Sequence, residues 1–232
     1  MNFSELPISC YIRTLNEERM IGEVISSAKK ICNEVIVIDS LSIDKTKSIS
    51  LTLGAKVIDQ PWLGNGFQKR VGEDEAKNDW ILDIDADEIV TDDMALEIKE
   101  LFNSSKIHKF DALLTPIITS PPIGNIWYKF SRAWRVKLYN KKKVRIPAHK
   151  AWDQFKTKNL RIYNLNSGLL HFSFTGIEMH LKKLNSYSSM LSKEQKLKPL
   201  YILKLRIWFA LPIYFLQKFI GHGLFRAGTY GF

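Results

Sequence analysis

The sequence predicts an α/β fold: a mostly parallel sheet flanked by helices, followed by a C-terminal helical appendage suited to a membrane surface. Three observations lead there. Apolar runs of strand length alternate with amphipathic helical patterns over the first hundred residues, several of those runs end in carboxylates, and residues 196–232 interleave aromatic and basic side chains.

The elements follow in order. Ile8 to Ile12 is a short apolar strand, and Asn16-Glu17-Glu18 reads as an N-cap with acidic residues in the first turn of a helix. Ile21, Val24, Ile25 and Ala28 then fall at i, i+3, i+4 and i+7, one face of an amphipathic helix. Glu34 to Asp39 is a buried strand ending in a carboxylate, and a polar loop through Asp44 leads to a helix ending near Gly54. A third strand covers about Ala55 to Ile58. The turn Pro61 to Gly66 opens a helix that carries Gln68, Lys69 and Arg70 towards Ala76. Trp80-Ile81-Leu82 begins the next strand, which delivers Asp83, Asp85 and Asp87 to its end. Side chains alternate along a strand, so Asp83 and Asp85 share a face and Asp87 lies where the backbone turns. A helix capped near Asp92 carries Met94, Ile98, Leu101 and Phe102. Beyond it Ala112 to Ile118, Trp134 to Tyr139 and Leu160 to Leu165 read as strands, with a basic turn at Asn140 to Lys143 and a polar helix from Ile177 to Lys193.

Ligands of such sheets sit beyond the carboxyl ends of the strands, so Asp39 and the Asp85/Asp87 pair are expected to converge on one crevice. Clustered carboxylates repel each other unless something positive neutralises them. A hard divalent ion, Mg²⁺ or Mn²⁺, suits all-oxygen ligands and commonly bridges a protein carboxylate to phosphates. The alternative is a solvated acidic loop entering a helix. An EF-hand loop fits worse: counted from Asp83, its sixth position is Glu88 where glycine is required and its twelfth is Met94 where Glu is required.

With 232 residues and 45% hydrophobic content, the chain can bury one substantial core. The net charge of +10 is divided unevenly: residues 1–100 hold 11 Lys and Arg against 20 Asp and Glu, and residues 101–232 hold 23 against 4. The basic portion suits an anionic partner such as lipid headgroups. Nothing matches a helix-turn-helix, zinc-finger or RNA-recognition signature, so no nucleic-acid partner is expected. The N-terminus lacks the basic start and apolar run of a secretory signal. Cys10 and Cys32 suit buried thiols of a reduced compartment, which places the chain in the cytoplasm. In Leu200 to Phe219, apolar and aromatic residues are interrupted by Lys204, Arg206, Pro212 and Lys218. The run between Arg206 and Lys218 is about half of the ~20 residues a bilayer crossing needs, which predicts an interfacial segment. A helix pair broken at Pro212 and packed in a core or oligomer is the alternative.

Taken together, Thr14-Leu15-Asn16-Glu17-Glu18, Val37-Ile38-Asp39-Ser40, Asp44-Lys45-Thr46, Trp62-Leu63-Gly64, Gln68-Lys69-Arg70 and Trp80 through Glu88 resemble the family 2 glycosyltransferases, and within them the bacterial lipopolysaccharide-core β-glucosyltransferases. The resemblance is strong from about Ile8 to Asn103. It implies a GT-A nucleotide-sugar fold and inverting transfer of a sugar, glucose favoured, from a UDP-sugar donor to a lipid-linked saccharide acceptor such as lipopolysaccharide core. It divides the chain into a GT-A domain over 1–195, with a nucleotide-sugar half to about 105 and an acceptor half over 106–195, and the basic aromatic segment 196–232. It implies a location at the inner face of the bacterial cytoplasmic membrane, on its anionic surface. Asp39 would contact the uracil or ribose, Thr14 and Glu17 would line the nucleotide pocket, Arg70 would lie near the nucleotide, and Asp85 and Asp87 would form the D-x-D motif that holds Mg²⁺ or Mn²⁺. The family loop usually reads Asp-Ser-Gly-Ser-Thr-Asp-Gly. Here Leu41 and Lys45 replace both glycines, which predicts strain because these side chains tolerate positive φ poorly.

Inverting transfer in one step requires a base to take the acceptor hydroxyl proton. Beyond residue 100 only Asp111, Asp153, Glu178 and Glu194 are acidic. Asp153 is the choice because it lies roughly where relatives place an acceptor-side His-Glu segment, although Lys150 follows His149 here. Glu178 is second, and His171 reads as a structural histidine. A non-catalytic nucleotide-sugar or glycan binding protein of the same fold is the alternative function.

Overall fold

In the computed structural model, residues 6–120, 132–173, 198–221 and 223–226 are described, together with positions 178, 181, 182, 184, 185, 188 and 189. The chain divides into two compact units, Met1–Ile118 with Ala133–His171, and Thr119–Arg132 with Phe172–Phe232.

The first unit grows outward from strand β1 (Leu6–Thr14), whose Ile8, Cys10, Tyr11 and Ile12 are wholly buried. Burial on both faces is what a central strand of a helix-covered sheet requires, and it accounts for the unbroken apolar run. Helix α1 (Ile21–Ala28) buries Ile21, Val24, Ile25 and Ala28, the four positions its periodicity predicts. Strand β2 (Cys32–Asp39), helix α2 (Thr46–Thr52) and strand β3 (Lys56–Asp59) continue outward, each strand parallel to its neighbour. Helix α3 (Asn65–Glu75) then returns the chain across β1, and β4 (Trp80–Asp85) pairs with the other edge of β1, again in parallel. Strand order therefore reverses between β1 and β4, and the reversal leaves a crevice at the carboxyl ends of the strands. Thr14 aligns with Asp39 on one side of β1 and Arg13 with Asp85 on the other.

Beyond β4 the sheet is mixed. β5 (Glu88–Val90) is followed by helix α4 (Asp92–Asn103), and the later strands are β6 (Ala112–Thr119), β7 (Arg132–Asn140), β8 (Ile162–Asn164) and β9 (Leu169–His171). Among the described residues the order is β3-β2-β1-β4-β7-β6-β9-β5, with β8 beside β6. β7 runs antiparallel to β4 and β9 antiparallel to β5. The parallel pattern expected from strand and helix alternation thus holds for the first four strands. The two three-residue strands β5 and β9 are too short to leave a periodic signal. The α4 cap is Thr91, one residue before the expected Asp92: its Oγ1 accepts the Met94 N–H at 3.2 Å. Cys10 and Cys32 are buried free thiols.

Asn16 does not cap α1. The helix starts at Ile21, and Asn16 adopts φ 55° with its Oδ1 accepting the Ile43 N–H at 2.9 Å. Its short amide tolerates the left-handed region and braces the neighbouring loop.

In the second unit, helix α5 (Leu200–Leu216) runs straight through Pro212 and continues as a π turn over Gln217–Gly221. It has no break at the proline, and its 22 residues are long and apolar enough to cross a membrane by length and composition. At ~1.5 Å per residue such a helix measures ~33 Å, the thickness of a hydrocarbon core. Its charges, Lys204, Arg206 and Lys218, lie within the helix and do not end it. Trp208 and Leu211 are among its exposed side chains. The predicted polar helix over 177–193 falls mostly outside the described residues; Glu178 and Lys182 within it form an i,i+4 ion pair at 2.7 Å.

Candidate active site

A cleft of about 610 Å³ opens at the strand-order reversal. The end of β1 contributes Arg13, Thr14, Leu15 and Glu17, the turn before α3 contributes Trp62 and Asn65, and the opposite wall carries Asp85, Asp87 and His171.

On the β2 side, the loop after Asp39 is built on that carboxylate. Asp39 is fully buried, accepts the Ser42 N–H at 2.7 Å through Oδ1, and accepts the Thr14 hydroxyl at 2.8 Å and the Ser42 hydroxyl at 2.6 Å through Oδ2. The Glu17 N–H donates to Thr46 Oγ1 at 2.8 Å, tying the two loops together. Leu41 holds φ 68°, the left-handed conformation that a glycine would take freely, whereas Lys45 sits at φ −80° and is unstrained. One of the two missing glycines therefore costs backbone energy and the other does not.

On the β4 side, the acidic cluster is answered by cations from other elements. Lys69 of α3 and Asp83 are both about 1% exposed and pair at 2.6 Å. Lys69 Nζ also lies 3.2 Å from Asp153 Oδ2. Arg13 reaches Asp85 Oδ1 at 2.7 Å and Asp153 Oδ2 at 3.6 Å. Lys137, a buried cation of strand β7, pairs with Glu88 at 2.6 Å and stands 3.7 Å from Asp85 Oδ2. Glu88 Oε2 also accepts the Asp85 N–H at 2.9 Å, which fixes the turn between β4 and β5. Lost hydration pushes the Asp85 carboxyl up, but Lys137, Arg13 and Lys69 outweigh it and hold the group well below its ordinary value. For Glu88, burial together with the Asp85 charge prevails over Lys137, and its carboxyl is raised.

The opposite wall places His171 Nε2 3.3 Å from Asp87 Oδ2. Burial lowers the imidazole's proton affinity, yet the bond to Asp87 and the charges of Asp87, Glu88 and Asp85 raise it above the ordinary value. Asp85 and Asp87 line the same cleft and present carboxylate oxygens to it, with His171 hydrogen-bonded to Asp87 beside them. Among the described residues no three His, Cys, Asp or Glu side chains are grouped as a complete metal site. Two protein ligands with the rest from phosphate oxygens is, however, how Mg²⁺ is usually held at nucleotides, so these residues fit such an ion.

Of the residues predicted from sequence, Thr14, Glu17, Asp85 and Asp87 line the cleft, and Asp153 joins them through Arg13 and Lys69. Asp39 lies behind Ser40 with both oxygens occupied by Thr14 and Ser42. Arg70 is directed elsewhere: it donates to the Ile146 carbonyl at 3.3 Å and lies 3.6 Å from Glu73. The segment bearing Asp153 docks on the start of α3, where the Asn65 N–H donates to the Lys150 carbonyl at 2.8 Å and the Gly66 N–H to the His149 carbonyl at 2.9 Å. A Cβ on Gly66 would overlap the Pro147 carbonyl, so glycine permits this docking. Sequence reasoning missed Arg13 and Lys137; His171, expected to be a hydrogen-bonded structural histidine, pairs with Asp87. For Arg13 the signal was a lone cation in the apolar strand β1, whereas Lys137 sits among other cations of β7, and the His171 contact depends on a strand pair with no local signature.

Residues 9–169 match the family model described as glycosyl transferase family 2. The chain is 36% identical over 235 residues to an uncharacterized glycosyltransferase of Rickettsia bellii, an alignment covering 93% of this chain and 78% of that one. It is 26% identical over 235 residues to the lipopolysaccharide core biosynthesis glycosyltransferase LpsC of Rhizobium meliloti, with 98% of this chain and 86% of that one covered. Among solved structures it is similar to S. aureus TarS in complex with UDP-GlcNAc, with a TM-score of 0.56 and 20% identity over 75% of this chain and 60% of that one.

Proposed function

The chain belongs to glycosyl transferase family 2, and on that premise we propose that it transfers a sugar, glucose favoured, from a UDP-sugar to a lipid-linked saccharide such as lipopolysaccharide core, inverting the anomeric carbon. The observation that carries this reading is the convergence of Asp85, Asp87 and His171 on one cleft at the strand-order reversal, with Asp153 standing 3.6 Å from Arg13 of that cleft. The similarity to LpsC supports the choice of acceptor.

In this reading Thr14 and Glu17 line the nucleotide pocket, and Asp39 acts through the loop it holds in place. A Mg²⁺ or Mn²⁺ ion on Asp85 and Asp87, with His171 beside them, would supply Lewis-acid stabilisation of the departing diphosphate worth several kcal/mol. Asp153 takes the proton of the acceptor hydroxyl, and Lys69, itself fixed by Asp83, sets the direction of that carboxylate. Arg70 holds the Ile146 carbonyl and so supports the approach to Asp153. The catalytic domain extends to about residue 195. The segment 196–232 associates with the anionic inner surface of the cytoplasmic membrane, where the acceptor lipid lies, with Lys204, Arg206 and Lys218 at headgroup level.

Release of UDP from a panel of UDP-sugars, with membrane glycolipid extract as acceptor and Mg²⁺ or Mn²⁺ present, tests the proposal. Turnover is expected to disappear in Asp85→Ala and Asp87→Ala; unchanged turnover in both overturns it. One observation favours a second reading: the Asp153 oxygen that would accept the proton already faces Lys69 and Arg13. UDP-sugar binding by calorimetry with no transfer to any acceptor would make the protein a binding module of this family.

A further inference from the structure

The cleft contains a cation that the acidic motif alone does not call for. Arg13 stands at the floor of the crevice with three of its nitrogens engaged on one side. Nε and one terminal nitrogen converge on the single oxygen Oδ1 of Asp85, at 3.3 and 2.7 Å, and the other terminal nitrogen reaches Asn65 Oδ1 at 3.2 Å. A guanidinium fork matches two oxygens of one anion, and here both donors crowd one carboxylate oxygen while the second, Oδ2, faces Lys137 at 3.7 Å. Asp153 lies 3.6 Å away, beyond a direct hydrogen bond. The indole of Trp62 lies over the guanidinium with 6.0 Å to its centroid and forms part of the same cleft. Two of the three guanidinium nitrogens thus share a single acceptor oxygen.

We propose that Arg13 is a diphosphate-binding residue: the fork that clasps Asp85 turns its two-pronged face to the phosphate oxygens when a nucleoside diphosphate enters, releasing Asp85. A fork that leaves one oxygen for the two oxygens of a phosphate gains a matched pair of charge-assisted hydrogen bonds. Lys137, nearly buried and fixed by Glu88, takes over Asp85 as Arg13 departs, so the carboxylate is never left without a counter-charge. The protein itself therefore neutralises part of the diphosphate, alongside a divalent ion, and nucleoside diphosphate binding persists when the ion is removed. This rests on the donor-site reading above.

The test is calorimetric titration of UDP into the full-length chain in detergent, once with EDTA and once with Mn²⁺, for the wild type and for R13Q, R13K and D85N. The wild type is expected to bind UDP in EDTA. R13Q should bind about tenfold or more weakly there, since charge-assisted hydrogen bonds are worth about 1.5–3 kcal/mol, and should lose less in Mn²⁺. R13K should fall between them. D85N gives the opposite sign, because it frees Arg13: UDP binding tightens in EDTA and weakens in Mn²⁺. If R13Q equals the wild type in EDTA, or the wild type binds UDP only with Mn²⁺, the role given to Arg13 is wrong while the donor site stands. If the wild type binds no UDP even with Mn²⁺, the donor site falls and this inference with it. Should R13Q fail to fold, D85N decides: binding in EDTA no tighter than the wild type overturns the clasp.

Discussion

His171 Nε2 sits 3.3 Å from Asp87 Oδ2 because Glu88 and His171 lie opposite one another in the antiparallel β5–β9 pair. The pairing gives the imidazole a raised proton affinity in the folded protein despite its burial. A raised folded value stabilises the fold fully below the unfolded histidine value and loses that stabilisation as pH climbs through the folded value. His171→Gln should therefore melt below the wild type in acid, with the gap closing as pH climbs past the ordinary histidine value of about 6.5. Melting curves of both proteins on either side of that value check this; a gap that widens with pH is inconsistent with the contact.

Lys69 and Asp83 form a buried pair in which Asp83 Oδ1 has no other partner among the described residues. Removing the cation leaves an uncompensated carboxylate in the core, at a cost of about 3–5 kcal/mol. Lys69→Met should show that loss in urea denaturation, and Lys69→Met with Asp83→Leu should recover much of it. If the double variant is no more stable than the single one, the loss comes from packing instead of charge.

Leu41 is held at φ 68° by the bonds Asp39 makes to Ser42. The left-handed region costs an L residue roughly 1–2 kcal/mol, and branching at Cβ adds to it. Leu41→Gly should be neutral or up to about 1 kcal/mol stabilising, since relief of strain competes with the greater freedom of an unfolded glycine. Leu41→Val should be less stable than the wild type. Denaturation midpoints check this: Leu41→Gly is expected at or above the wild type and Leu41→Val below it.

Gly66 is where the segment carrying Asp153 docks, and a methyl group there would meet the Pro147, His149 and Trp152 carbonyls. Gly66→Ala should cost about 1–3 kcal/mol and reduce sugar transfer more than it reduces UDP affinity. Gly221→Ala, where an added Cβ meets nothing within 4 Å, is the control and should change stability by less than about 0.5 kcal/mol. Equal behaviour of the two variants would mean that docking of this segment is unimportant.

Trp208 lies on the exposed surface of α5 in a helix long enough to cross a bilayer. Vesicles containing anionic lipid should shift its emission to the blue, and lipids brominated deep in their chains should quench it if the helix inserts. Quenching only by lipids brominated near the headgroup would place the helix along the surface. The difference is read against Trp208→Tyr, which should abolish it.

Much of the fold was legible locally. The i, i+3, i+4, i+7 spacing of Ile21, Val24, Ile25 and Ala28 became the buried face of α1, and the apolar runs into Asp39 and Asp85 became β2 and β4. The apolar face of a helix and the carboxylate at a strand end are set by neighbours a few residues away, and a sequence displays those directly. The Asn16 cap failed because the Asn side chain had a nonlocal alternative, the Ile43 N–H.

The sequence by itself determined that an acidic cluster would gather at the end of a parallel sheet and that a compensating charge had to meet it. The tertiary structure alone decided what that charge is: Arg13 from the neighbouring strand, Lys69 from the preceding helix, and Lys137 from a strand about fifty residues later. The physical reason is that attraction between charges depends on their separation in space and on how much water has been excluded between them. Neither quantity exists until strands far apart in the chain have been paired.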